Sequence, residues 1–83
     1  MRTIMIDGSE YASGRELHAA LKRLLSLPDY YGMNADALND CVSELPEPVN
    51  LWIACPGEGD AAETLEKVRM VIEGNGGEVK ELY

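Results

Sequence analysis

Asp36, Asp40 and Glu44 recur at intervals of four residues. On a helix, side chains at i, i+4 and i+8 stand one above another, so the three carboxylates would form a single column. Like charges at this spacing destabilise an isolated helix by about 0.2–0.5 kcal/mol per pair. The segment supplies no Lys or Arg to offset them. A carboxylate pair can work as general acid and base where the surroundings separate two pKa values, but nothing in the pattern provides a pocket. One or two carboxylates can hold Mg²⁺ together with substrate phosphates, but no phosphate-cradling glycine loop accompanies these. A recognition surface for a cationic partner asks only that the charges be held in place. The residues therefore carry no assigned catalytic role, no metal and no cofactor.

Tyr30 and Tyr31 stand just before this column, and two adjacent side chains in a connector cannot both face one interior. At least one is expected on the surface, where tyrosine is a frequent anchor of protein contacts. Other chemistry is harder to build. His18, the single histidine, is predicted on the solvent side of the first helix with Lys22 and Arg23, so it is a poor base for Ser9, Ser13, Ser26 or Ser43. Trp52 lies in an apolar run and is expected in the core. Cys41 and Cys55 form neither a CxxC pair nor a disulfide framework and read as reduced structural thiols.

The elements that must position the column follow from spacing and punctuation. Ile4-Met5-Ile6, closed by Asp7-Gly8, predicts a strand over 2–7. Ser13 with Glu16 predicts a capped helix carrying Leu17, Ala20, Leu21 and Leu24 inward and ending before Pro28. A connector spans 28–33. Asn34 then caps a second helix over 34–45 that buries Leu38, Cys41, Val42 and Leu45, with Asp36 in its first turn where the helix dipole favours negative charge. Val49–Cys55 reads as a strand buried on both faces, stopped by Pro56-Gly57. Asp60 with Glu63 is expected to cap a third helix with Ala61, Leu65, Val68 and Ile72 inward, ended by Gly74-Asn75-Gly76-Gly77. A charged edge strand over 78–83 closes the chain. Strand, helix, helix, strand, helix, strand predicts parallel pairing in a small α/β domain spanning 1–83.

Seven basic and fifteen acidic residues leave a net charge of −8, which disfavours nucleic acid and anionic membranes as partners and favours a basic protein. Met1 is not followed by an apolar run of signal-peptide or membrane-span length, so a cytoplasmic protein is expected.

Residues 27–41, LPDYYGMNADALNDC, resemble the barstar family's LPxYYGxNxDALxDC signature at every fixed position. The likeness continues more loosely over the chain, through Leu17-His18, Leu21-Lys22 and the order of elements. It implies a three-stranded parallel sheet of order 1-2-3 packed with helices. It also implies an intracellular inhibitor whose connector and second helix plug the active site of a basic, secreted ribonuclease of the barnase type, and for such an inhibitor a monomer is the simplest expectation when free. On that resemblance Asp40 stands in for substrate phosphate and Asp36 is a second charge contact. Tyr30 packs on the catalytic face, with Gly32, Asn34 and Ser43 nearby. Asn39 lies on the same surface where the family has a tryptophan, and Leu45 likewise replaces a tryptophan. The family adds acidic contacts from its last helix, for which Glu66 and Glu73 are the candidates. The alternative is a barstar-like binding or immunity module for a different basic protein or toxin.

Overall fold

The computed structural model describes residues 2–83. In chain order it contains β1 (Arg2–Asp7), a short 3-10 turn (Gly8–Glu10), α1 (Gly14–Leu24), α2 (Ala35–Ser43), β2 (Val49–Cys55), α3 (Gly59–Gly74) and β3 (Glu78–Glu81). The three strands are parallel in the order β1-β2-β3, the α/β arrangement implied by the barstar resemblance. Ile4 pairs with Leu51 and Leu51 with Val79, so one face of the sheet carries a continuous apolar row.

That face supports the core. Ile4, Ile6, Val49, Leu51 and Ile53 meet Leu17, Leu21 and Leu25 from α1 and its end, Leu38 and Val42 from α2, and Leu65, Val68 and Ile72 from α3. Burying each such side chain stabilises the fold by about 1.5–3 kcal/mol. The opposite face is open. Along β2 buried and half-buried residues alternate, and Met5 of β1, the register partner of Trp52, is 53% exposed. β2 is therefore not buried on both faces, and Trp52 is not a core residue. It lies half-buried on the open face with the Lys80 ammonium 5.6 Å from its ring centre. Among the described residues the helices shield a single side of the sheet, and the other side is sheltered by neighbouring strands.

Helix ends are closed by specific groups. Ser13 accepts from the Glu16 amide, and Asn34 Oδ1 accepts from the Ala37 amide at 2.8 Å, as their sequence positions predict. Asp60 does something else. α3 starts after Glu58, which makes no side-chain cap, and Gly57 and Gly59 with φ of 76° and 58° turn the chain into it. Asp60 thus lies inside the first turn, and its carboxylate accepts from the Gly14 amide at 2.6 Å. One negative charge thereby serves the N-termini of both α1 and α3. At the other end of α1 the Arg2 guanidinium donates to the Leu24 carbonyl at 2.6 Å, placing a cation against the C-terminal carbonyls. No helix among the described residues is long and apolar enough to cross a membrane.

α1 and α3 end in the same way. Leu27 donates to Lys22 and Ser26 to Arg23 after α1, while Gly77 donates to Ile72 and Gly76 to Glu73 after α3, the paired bonds of a Schellman motif. The motif needs a left-handed residue, which is Gly76 (φ 80°) in one case and Ser26 (φ 53°) in the other. An L-residue there costs about 1–2 kcal/mol, against about 0.5–1 kcal/mol of extra chain entropy lost by glycine. Ser26→Gly should therefore stabilise the protein by about 0.5–1 kcal/mol, read as a higher urea midpoint with unchanged slope. A lower midpoint would show that Ser26 earns its place through an interaction of its side chain.

Candidate functional site

The connector between α1 and α2 is pinned to the core at two points. Leu27 is buried just after the left-handed Ser26, and Tyr31 is buried four residues later with its amide donating to the Pro28 carbonyl at 3.0 Å. The Tyr31 hydroxyl lies 2.6 Å from Nδ1 of His18, and their rings are tilted at 55° with centres 5.8 Å apart. His18 is thus not a solvated residue of α1. It is 6% exposed, because it borders the Leu17 and Leu21 stripe and the connector folds back over it. Lys22 is half-buried and pairs with Asp29 at 3.7 Å, while Arg23 faces solvent as predicted.

Burial shifts both members of the pair toward neutrality. It lowers the His18 pKa below 6.5 and, with a smaller contribution from neighbouring Cys41, raises that of Tyr31 to about 12. Between an uncharged imidazole and a phenol one hydrogen bond satisfies both Nδ1 and the hydroxyl, its direction following the ring's tautomer. With Tyr31 turned inward, Tyr30 is turned out and is 82% exposed.

The connector ends as tightly as it begins. Met33 adopts a left-handed φ of 57°, and the Asn34 amide spans the junction, donating to the Gly32 carbonyl at 3.2 Å while its oxygen caps α2. α2 then buries Leu38 and Val42 and exposes Asp36, Asp40 and Glu44. Among the described residues none of these three carboxylates forms an ion pair. Their field reaches inward: the Cys41 thiol is pushed up by burial and then by Glu44 and Asp40. Ser43 is exposed and its hydroxyl donates to the Asp40 carbonyl at 2.8 Å. A cavity of about 510 Å³ opens at the carboxyl ends of β1 and β2, lined by Gly8, Tyr11, Cys55 and Gly57 and by none of the column residues. No group of three or more metal-ligating side chains is found among the described residues.

A sequence model of the family described as Barstar (barnase inhibitor) matches residues 1–73. The chain belongs to the barstar family. It is also 51% identical over 43 residues to a Bacillus subtilis (strain 168) protein named "Putative ribonuclease inhibitor YrdF", a match over 52% of this chain and 47% of that protein. The chain therefore spans about half the length of the curated relative it matches.

On this barstar-family fold Tyr30, Gly32, Asn34, Asp36, Asn39, Asp40 and Ser43 all lie on the connector or the exposed side of α2 and are themselves exposed. Both acidic candidates of the last helix are exposed. Glu66 lies 3.7 Å from Arg69, whose guanidinium also holds Glu81 at 2.7 Å. The residue that the sequence did not single out is Asn75, whose amide bonds to Asn39 at 2.8 Å. It sits in a glycine-rich helix stop, and only the packing of α2 beside α3 gives it this second use.

Because the folded state holds His18 below its usual value, the unfolded chain takes up the proton first, near pH 6.5. Stability from this site is complete above that pH and declines as pH falls toward the folded-state pKa, below which the loss stops growing. His18→Gln keeps a partner for Tyr31 and removes the titration. The stability difference between wild type and His18→Gln, measured by urea unfolding from pH 8 to 5, should move against wild type below about pH 6.5. A difference that stays constant with pH would refute a buried neutral histidine.

Proposed function

We propose that this chain is an inhibitor of a basic, barnase-type ribonuclease and has no catalytic activity of its own. α2 and the connector enter the enzyme's active-site cleft, with Asp40 in the place of a substrate phosphate, Asp36 beside it and Tyr30 against the catalytic face. Gly32, Asn34, Asn39 and Ser43 complete the contact. The observation that carries this reading is the column of carboxylates, without ion pairs among the described residues, held on a capped helix beside an exposed tyrosine. A ribonuclease concentrates cations where the phosphate binds, so a preformed acidic face meets them without ordering a loop first. The barstar-family match and the inhibitor name of the Bacillus relative support the same partner class.

The net charge of −8 speeds encounter with a cationic enzyme and works against RNA as a competing ligand. In this reading the protein acts in the cytoplasm as a free monomer, where an enzyme destined for secretion would otherwise reach the cell's own RNA. A second reading, favoured by the amide of Asn39 on the contact face, keeps the surface and changes the partner to another basic protein or toxin.

Titration into a barnase-type ribonuclease, followed by RNA cleavage, tests both. Inhibition should be stoichiometric, and Asp40→Ala should weaken it more than any other single truncation, by about 3–5 kcal/mol, because enzyme cations would be left buried without a counter-charge. Inhibition that survives Asp40→Ala unchanged would overturn the phosphate-mimic assignment. Absence of inhibition by wild type would favour the second reading.

A further inference from the structure

Asn75 closes α3 and also reaches α2. Its Nδ2 lies 2.8 Å from the Val71 carbonyl and 2.8 Å from Oδ1 of Asn39. A carbonyl only accepts, so Asn75 must turn its amino group toward Val71. The Asn39 atom facing that amino group must then be the oxygen, because two amino groups cannot bond each other. Both protons of Asn75 Nδ2 are used, and the orientation of Asn39 is settled with them. Asn39 Nδ2, carrying two donor protons, has no hydrogen-bond partner among the described residues and belongs to an exposed side chain.

Positions 36, 39, 40 and 43 are spaced i, i+3, i+4 and i+7 and share one face of α2. The carboxylates of Asp36 and Asp40 can only accept when ionised, so Asn39 supplies a fixed donor among acceptors. We propose that Asn75 is a positioning residue that locks Asn39 as a hydrogen-bond donor in the contact face, and that the partner presents a carbonyl or carboxylate oxygen beside the cations that meet Asp36 and Asp40. This rests on the inhibitor reading and adds a selectivity element to it. A partner without that oxygen would bury the Asn39 amino group unpaired, at a cost that disfavours the complex. A partner that is cationic throughout the cleft is therefore the wrong one.

The test compares inhibition of a barnase-type ribonuclease by wild type, Asn39→Asp, Asn39→Ala, Asn75→Ala and the double alanine variant. Asn39→Asp retains an oxygen for Asn75 but shows the partner a second oxygen in place of the amino group. It should weaken inhibition about ten-fold or more, while the urea midpoint falls only slightly, by the repulsion of one added carboxylate three residues from Asp36. Asn75→Ala should weaken inhibition by removing the lock, and the double variant should be no weaker than Asn39→Ala alone. Equal or tighter inhibition by Asn39→Asp, or additive losses in the double variant, would overturn the proposal. The lock is also read in the free protein. The Asn75 side-chain amide protons should exchange slowly by NMR, and faster in Asn39→Ala. Rapid exchange in wild type would overturn the lock whatever the enzyme does, whereas slow exchange without inhibition by any form would place the failure in the inhibitor reading.

Discussion

The shape of the connector that leads into the proposed contact face depends on the buried pair of Tyr31 and His18. A connector beginning at a left-handed serine and ending at a left-handed methionine has no helix or strand to fix it. It gains its shape by burying Leu27 at its start and by inserting one aromatic side chain into the core, whose only polar atom is satisfied there. A buried hydroxyl or imidazole without a partner would cost about 1–3 kcal/mol, so the two groups stabilise each other's burial as much as they attract. The consequence at the surface is geometric. With Tyr31 committed inward, Tyr30 projects outward, and the chain reaches Asn34 in the conformation that caps α2.

α2 itself shows which effects win. Two like-charge pairs in the column oppose the helix by about 0.4–1 kcal/mol in total, and Glu44 at its C-terminal end meets the unfavourable pole of the dipole. Burial of Leu38 and Val42 contributes about 1.5–3 kcal/mol each, and the Asn34 cap about 1 kcal/mol more. The helix tolerates its acidic face because its other face is sealed into the core. On the proposed reading the column finds its counter-charges on a partner, which would make a locally unfavourable pattern a binding surface.

Much of this was legible in the sequence, because the decisive signals are local. Asn34 before an apolar stripe, Ser13 three residues before Glu16, and the proline and glycine stops are each read within a few residues. They place the helices and strands within a residue or two, except that α3 begins earlier. What was not legible depends on residues distant in the chain. His18 looks solvated by helical spacing, and only the return of the connector buries it. Trp52 looks like core in an apolar run, yet among the described residues no helix covers that face of the sheet. Asp60 has the residue type of a cap, but the glycines before it shift the helix start and give its carboxylate to α1. Asn75 is indistinguishable from an ordinary helix stop until α2 lies beside it.

The most direct measurement is a footprint: amide chemical shifts of the labelled protein recorded with and without a catalytically inactive, barnase-type ribonuclease. The account predicts that perturbations gather on the connector from Tyr30 to Asn34, on α2 from Asp36 to Ser43, and at Asn75, while Met5, Trp52 and Lys80 on the open sheet face stay unmoved. A footprint on that sheet face with α2 unperturbed would contradict the account, because it would leave the acidic column outside the contact it is held to make.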